Sequence, residues 1–158
     1  MDYAKLPITY QTVIPEEYID VMGHMNVMWY THLFDEAVYE LWGLFGCGLD
    51  YHQQSGMGSF ALEQHVRYLS EVRLGDRVTV RSRALDRSDK TFHFMHFIIK
   101  DGSDELAATG EFVGLHVNMR TRRAAPFPKE VLERLDVLLE AHQSLEWEAP
   151  LCGVMGVK

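Results

Sequence analysis

The spacing of hydrophobic residues changes along the chain and separates helices from strands. Between positions 30 and 43, apolar residues recur at intervals of three and four, among them Leu33, Phe34, Ala37 and Leu41. This spacing predicts a long helix that buries one broad face. Its opposite face carries acidic and polar residues, and the sequence GLFGCG supplies glycines that end the helix.

Strand-like segments surround this helix. They are expected at residues 6–14, 59–69, 76–86, 91–100 and 105–120, with turn sequences RLGD, DRSDK and DGSD between the last four. A loop is expected over residues 51–58, and a shorter helix over residues 129–142. The order is strand, long helix, four strands in a meander and short helix. It predicts an α+β fold in which one long central helix is wrapped by a curved antiparallel sheet of about five strands.

The size and charge of the chain narrow the class of protein. Its 158 residues fit a single domain, with a core over about residues 7–142 and a tail over residues 143–158. Fifteen basic against 23 acidic residues give a net charge of −8, which argues against nucleic acid or an anionic membrane as a partner. No apolar run is long enough to span a membrane and no secretory signal is recognisable, so we expect a cytoplasmic protein.

The spacing of cysteines and histidines gives no indication of a metal site. Cys47 and Cys152 lie outside any CxxC motif, so we expect two free thiols. The eight histidines form no HExxH motif. His93 and His96 are three residues apart on a predicted strand and should therefore point to opposite faces of the sheet. We predict no bound metal.

The segment DVMGHMNVMWY, residues 20–30, leads into the long helix and carries the candidate chemistry. The first backbone N–H groups of a helix have no intrahelical partner and can stabilise an oxyanion. A turn at Gly23 would bring the Asp20 carboxylate back over the helix start, near Asn26. A carboxylate there can act as a general base, act as a nucleophile, or cap a turn or the helix. The spacing alone slightly favours capping.

The same segment resembles a motif of the hotdog-fold thioesterases that are similar to 4-hydroxybenzoyl-CoA thioesterase. In the pattern D-x-D-x-x-G-H-x-N-x-x-x-Y, the second acid and the four residues after it correspond to Asp20, Gly23, His24, Asn26 and Tyr30. Tyr18 replaces the first acid. Together with EQHVRYLSEVRLGDRVTV, the resemblance covers about residues 7–125. More narrowly, VIPEEYIDVMGHMNVMWY, EQHVRYLSEV and RRAAPFP resemble bacterial betainyl-CoA thioesterases found with carnitine breakdown.

This resemblance implies a hotdog-fold thioesterase that acts on a small or short-chain acyl-CoA. Asp20 would be the catalytic carboxylate, as general base or as nucleophile, and the resemblance favours this role over capping. The backbone N–H of Val27 would donate to the oxyanion. His24 would be a base, an orienting donor or part of the loop scaffold, and Asn26 would cap the helix and fix the loop. We expect no cofactor, because coenzyme A is part of the substrate.

Aromatic and charged residues outside the loop are candidates for substrate binding. A quaternary ammonium acyl group calls for aromatic faces, and the candidates, which could equally be core or interface residues, are Trp29, Tyr30, Tyr68 and Phe94. Glu63 would be a carboxylate of the site or an exposed strand residue. The CoA phosphates need basic residues, and the densest cluster is Arg120, Arg122 and Arg123, followed by Arg87 with Lys90. A solvated surface cluster is the alternative for these arginines.

The resemblance also implies an oligomer. An isolated hotdog sheet would expose an edge strand and half of its ligand site, so we expect a homodimer or a homotetramer. Two other functions remain open. A hotdog hydratase would carry a motif similar to D-x-N-P-x-H, whereas here Asp20 and His24 are separated by three residues without a proline. A non-catalytic acyl-CoA-binding module would bind the thioester and leave it intact.

Overall fold

The computed structural model describes residues 1–157. Its principal elements are β1 (Ile8–Val13), α1 (Val27–Gly43), α2 (Leu49–Ser55), β2 (Met57–Tyr68), β3 (Arg77–Arg87), β4 (Thr91–Lys100), β5 (Glu105–Asn118), β6 (Arg123–Ala124) and α3 (Lys129–Gln143). All predicted strands and helices are present, although their ends shift by up to three residues. The predicted loop over residues 51–58 is wrong, because it contains most of α2 and the start of β2. Within residues 1–157, no helix is both long and apolar enough to cross a membrane.

The sheet is antiparallel and has the strand order β1-β3-β4-β5-β2, with β6 paired to the end of β5. The prediction of an α+β fold with a curved antiparallel sheet of about five strands is confirmed. The predicted four-strand meander is wrong, because only β3, β4 and β5 follow one another in space. β2 lies at the far edge and pairs with β5, so that His65 is opposite Glu111. The alternation of apolar and polar residues indicates which face of a strand is buried, but it does not indicate which strand lies beside it in the sheet.

Helix α1 lies against the concave face of the sheet and forms the centre of the core. Its buried residues are Tyr30, Leu33, Phe34, Ala37, Leu41 and Trp42. Gly110 on β5 allows the close approach of the helix, because a Cβ there would lie 2.9 Å from Cε2 of Phe34. The helix begins at Val27, three residues before the predicted start. The reason is that Asn26 accepts a hydrogen bond from the Met28 N–H and so caps the helix.

The tail after α3 covers the opposite face of the sheet. An apolar cluster lies there and consists of Leu6, Met95, Phe97 and Ile99. Trp147 packs against this cluster, and the Arg83 guanidinium lies 4.3 Å from the centroid of the Trp147 ring. Arg83 also donates to the carbonyls of Trp147 and His142 at 2.9 and 3.0 Å. The central strand β4 is consequently buried on both faces along almost its whole length.

Candidate active site

The segment from residue 18 to residue 26 folds into a small hairpin in front of α1. Ile19 and Met25 form a bridge across it. Gly23 closes the turn with a φ of +81°, a left-handed conformation that glycine adopts without the steric cost of a side chain. The Gly23 N–H donates to the carbonyl oxygen of Asp20 at 3.0 Å. The turn brings Asp20 back towards the helix start, as the spacing predicted.

Two hydrogen bonds hold the Asp20 carboxylate. Oδ1 accepts from the Met22 N–H at 2.9 Å, and Oδ2 accepts from the Asn26 side-chain amide, Nδ2, at 3.1 Å. Asn26 uses its other side-chain atom, Oδ1, to accept the Met28 N–H at 3.0 Å. One asparagine therefore joins the carboxylate to the first turn of α1. Asn26 is the helix cap, and Asp20 caps only the turn that precedes it.

The backbone N–H of Val27, the first residue of α1, has no hydrogen-bond partner within residues 1–157. The N–H groups of the next two residues are both taken by Asn26, one by its side chain and one by its carbonyl. Val27 itself is 56% exposed. A free N–H at the positive end of the helix dipole is suited to stabilising negative charge on a carbonyl oxygen.

His24 lies in the same hairpin and contributes mainly through its backbone. Its carbonyl accepts the Asp20 N–H at 3.1 Å, which helps to close the hairpin. The ring is half-buried, and Nδ1 is 3.4 Å from the carbonyl oxygen of Met25, a long distance for a hydrogen bond. Within residues 1–157 the ring makes no hydrogen bond to the Asp20 carboxylate. A role of the imidazole as a base stays a prediction.

A groove of about 510 Å³ runs between α1 and strands β2, β4 and β5. Helix α1 lines it with Met28, Thr31, His32, Asp35, Val38, Tyr39 and Trp42, and the sheet lines it with Ser59, Phe60, Ala61, Gln64, Phe94, Phe112, Val113 and Gly114. Phe94 and Phe112 stack, with ring centroids 5.5 Å apart and an angle of 14° between the rings. Of the described lining residues, Asp35 alone carries a carboxylate. Met28, which directly follows Val27 in α1, lines the groove, whereas Asp20, His24, Asn26 and Val27 are not among its lining residues.

The aromatic residues predicted to bind the acyl group separate into two sets. Phe94 lines the groove, whereas Trp29, Tyr30 and Tyr68 do not. Trp29 stacks on Tyr18, with ring centroids 3.8 Å apart, and Tyr30 packs edge-on against Tyr68 at 5.0 Å. Burial raises the pKa of the Tyr30 hydroxyl and keeps it neutral. These three residues have packing partners within the chain, and a contact with substrate stays a prediction for them.

Glu63 points away from the groove. It is exposed on β2 and pairs with Val113 beside a bulge, while the next residue, Gln64, lines the groove. Neighbouring residues on a strand face opposite sides of the sheet, so Glu63 belongs to the outer side. Within one chain Glu63 is an exposed strand residue, and a place for it in the site stays a prediction.

One of the three predicted phosphate-binding arginines, Arg122, lies close to a wall of the groove. Arg120, Arg122 and Arg123 are all exposed where the chain turns from β5 to β6. The Arg122 guanidinium lies 4.5 Å from the ring centroid of Phe60, which is a groove residue. The second basic cluster is different, because Arg87 donates from Nε to Asp136 at 2.7 Å. Arg87 is already paired with a carboxylate and is less available to a phosphate.

Several groove residues were not predicted as site residues. They include Asp35 and Trp42 on α1 and Phe112 on β5. A signal for the first two is present in the sequence, because Met28, Thr31, Asp35 and Trp42 follow at spacings of three, four and seven and so share one helix face. No local pattern shows that β5 places Phe112 opposite this face.

The similarity of this chain to known proteins extends over the hairpin, α1 and the groove. The family model of the thioesterase-like superfamily matches residues 13–135. The betainyl-CoA thioesterase of Pseudomonas aeruginosa is 36% identical over 137 residues, which are 87% of this chain and 86% of that protein. A candidate thioesterase structure from Pseudomonas putida KT2440 is 32% identical, with a TM-score of 0.78 and coverage of 97% of this chain and 96% of that chain.

A Staphylococcus aureus protein solved in complex with CoA is 25% identical, with a TM-score of 0.84 over 97% of each chain. Its fold, like that of the Pseudomonas putida protein, spans almost the whole of this chain, and the resemblance read from the hairpin motif is confirmed. The chain belongs to the thioesterase-like superfamily, has its hotdog fold, and is a thioester hydrolase.

Proposed function

We propose that the chain hydrolyses acyl-CoA thioesters by means of Asp20 and the start of α1, and that betainyl-CoA is its substrate. The observation that carries the proposal is the Asp20 carboxylate, which Asn26 links to the helix start beside the unpartnered N–H of Val27. The name of the Pseudomonas aeruginosa relative supports the betainyl group, and the CoA complex of the Staphylococcus aureus protein supports the thiol part.

Two routes are open to Asp20. As a general base, it takes a proton from water while the water oxygen attacks the carbonyl carbon; the C–S bond then breaks and coenzyme A leaves as a thiolate that takes up a proton. As a nucleophile, its carboxylate attacks the carbonyl carbon, expels the thiolate and forms an anhydride that water hydrolyses. In both routes, the Val27 N–H donates to the developing oxyanion, a contribution of about 10²- to 10³-fold in rate.

Trapping and isotope labelling distinguish these routes. A nucleophilic Asp20 forms an anhydride, so hydroxylamine added during turnover should leave a hydroxamate on the Asp20 side chain; a hydroxamate on the acyl group is not diagnostic, because hydroxylamine also cleaves acyl-CoA thioesters directly. Single-turnover hydrolysis in water labelled with heavy oxygen should place label in the Asp20 carboxylate if water attacks the aspartyl carbonyl. Label confined to the product acid, with no hydroxamate on Asp20, identifies the general-base route.

The groove has the chemistry of a site for a small cationic acyl group. The faces of Phe94 and Phe112 can each contribute about 0.5–2 kcal/mol to binding a trimethylammonium group. Asp35 adds a carboxylate to the same lining. Met28, the residue after Val27, lines the groove, which supports placing the acyl group there with its carbonyl oxygen on the Val27 N–H. We assign the CoA phosphates to Arg120, Arg122 and Arg123.

Release of free thiol from a panel of acyl-CoAs tests the activity. The panel holds betainyl-CoA together with short, long and aromatic acyl-CoAs, and the variants are Asp20→Asn and the control Asp104→Asn. Asp104 is an exposed turn residue with a φ of 54°, which asparagine also adopts readily. We expect Asp20→Asn to lose about 10²-fold or more in kcat and the control to stay at wild type. Tight binding of CoA esters without any thiol release would favour the non-catalytic binding module.

A separate experiment tests the acyl group. Asp35→Asn removes a negative charge and keeps the shape of the side chain. It should lower kcat/KM for betainyl-CoA by at least about fivefold, because a unit charge about 4 Å from a cation is worth about 1 kcal/mol even in water. A neutral acyl-CoA of the same length should be hydrolysed as before. Glu40→Gln, on the same helix and outside the groove lining, is the matched control; an equal loss on both substrates would argue against cation recognition.

We also propose that the functional unit is a homodimer or homotetramer. β2 is an edge strand, and it exposes Leu62 and Tyr68 by 52% and 49%. The hairpin tip adds Val21 and Met22, exposed by 101% and 74%. An unpaired edge with exposed apolar side chains is suited to pairing with a second chain. Light scattering should give at least the mass of a dimer at micromolar concentration, and a monomer would contradict the proposal.

A further inference from the structure

A cluster of metal-ligating side chains lies on the outer face of the sheet, on the side opposite the groove. It consists of His65 on β2, Glu111 on β5 and Cys152 in the C-terminal tail. The nearest ligand atoms of these three residues all lie within 4.8 Å of one another. His65 and Glu111 are direct partners in the strand pairing. The neighbouring residue of β5, Phe112, lines the groove, so the cluster is separated from the groove by the thickness of the sheet.

Glu111 is the centre of this cluster and is fully buried. Its Oε1 lies 2.9 Å from Nε2 of His93, and its Oε2 accepts the backbone N–H of Cys152 at 2.7 Å. A buried carboxylate is costly unless cations or donors surround it. Hydrogen bonds of this kind also orient a carboxylate that binds a metal, since ligating carboxylates are themselves hydrogen-bonded in metalloproteins.

Thiolate, imidazole and carboxylate are each ligands that zinc binds. Its bond lengths to these atoms are about 2.3 Å for sulfur and about 2.0–2.2 Å for nitrogen and oxygen. Tetrahedral ligands at those bond lengths lie roughly 3.3–3.6 Å apart, so the cluster needs to contract by about 1 Å. Cys152 is in the tail, outside the helices and strands, where such a shift disturbs no regular element.

We propose that His65, Glu111 and Cys152 bind a zinc-type divalent cation, and that His93 positions Glu111 for it. The fourth ligand is a water molecule. This differs from the absence of metal expected from the sequence, because the three ligands come from two strands and the tail and no local spacing connects them. The metal joins the tail to the sheet and does not take part in the thioester chemistry on the other face.

Cobalt(II) is the probe for the site, because a bound thiolate gives it an intense near-ultraviolet charge-transfer band and a tetrahedral site gives it strong visible bands. The full chain, stripped with a chelator, should bind about one cobalt or zinc ion with these bands. Cys152→Ser should abolish the charge-transfer band, and His65→Gln should remove the stoichiometric binding. The remaining thiol cannot substitute, because Cys47 is buried in the core, where burial raises its pKa to about 12.

Two further measurements separate a metal site from a merely structural cluster. His93→Gln should weaken zinc binding in calorimetry by about 10- to 100-fold while the charge-transfer band remains, as expected for a positioning residue. Zinc should raise the midpoint of thermal unfolding of the wild type and of His52→Gln, a control outside the cluster, and should leave Cys152→Ser unchanged. Absence of stoichiometric binding, or zinc binding that survives both Cys152→Ser and His65→Gln, would overturn the proposal.

Discussion

Asn26 uses two atoms of one side chain for two different tasks, and two substitutions can separate them. Oδ1 caps α1 through the Met28 N–H, and Nδ2 donates to the Asp20 carboxylate. Asn26→Ala removes both hydrogen bonds. Asn26→Ser keeps a hydroxyl oxygen that can cap the helix, but the side chain is too short to reach Asp20 as well.

Each of these two hydrogen bonds has a characteristic free energy. Loss of the cap costs about 1 kcal/mol of stability (range about 0.5–2), while a serine cap costs only a few tenths. For a chain of this size, about 1 kcal/mol corresponds to roughly 2–4 °C in Tm. The hydrogen bond to the Asp20 carboxylate is charge-assisted and worth about 1.5–3 kcal/mol. If it fixes Asp20 in the transition state, its loss lowers kcat by about 10- to 100-fold in both variants.

The assays are urea unfolding for stability and the initial rate of thiol release for kcat. Asn26→Ala should lose stability and activity together, and Asn26→Ser should lose as much activity but be more stable than the alanine variant by about 1 kcal/mol, the contribution of the cap. The reasoning would be refuted by a serine variant as unstable as the alanine variant. It would equally be refuted by a serine variant with wild-type kcat, since Asn26 would then have no part in placing the carboxylate.

Three other predictions concern stability and the tail. Gly110→Ala should cost about 1–3 kcal/mol in urea unfolding, because the new Cβ would lie 2.9 Å from Cε2 of Phe34. Burial lowers the pKa of His96 from 6.5 to about 3 and that of His142 to about 4. The unfolded chain binds these protons below about pH 6.5 and the folded chain does not, so the free energy of unfolding should fall by up to about 1.4 kcal/mol per pH unit for each histidine between pH 6.5 and about 4. Urea unfolding at a series of pH values measures this slope, which His142→Gln should reduce. Arg83→Lys loses the planar fork that binds the carbonyls of His142 in α3 and Trp147 in the tail, so limited proteolysis should cleave the tail faster than in the wild type.

The elements of the fold could be predicted from the sequence because their patterns are local. The buried face of α1 repeats every three or four residues, and the turn sequences mark the strand ends. The position of β2 in the sheet could not be predicted. It depends on the pairing of β2 with β5, which is distant in sequence, and the alternation of apolar and polar residues within a strand gives no information about its partner. Helix α2 was missed because Leu49–Ser55 is short and has no buried residue, so it lacks the stripe that identifies a helix.

The hairpin before α1 could be predicted in detail because its residues, too, are close together in the sequence. Asp20, Gly23 and Asn26 lie within seven residues, and the turn and cap chemistry of glycine and asparagine determines how they meet. The groove could be predicted only in part, since its walls come from α1 and three strands. Glu63 shows the limit: a polar residue in an apolar strand marks an unusual position, but the register decides which face it occupies.

The strand order also has a consequence for the folding of the protein during its synthesis on the ribosome. β1 pairs with β3, and β2 pairs with β5, which begins at Glu105, long after β2 ends at Tyr68. A nascent chain that stops before Glu105 therefore has β2 without its partner, and α1 lacks part of the surface that covers it. Such non-local pairings delay folding, because the entropy cost of closing a long loop is incurred before the strand contacts can stabilise the chain. We expect the domain to fold only once β5 has left the exit tunnel. Until then, for most of translation, its central helix is exposed and accessible to chaperones.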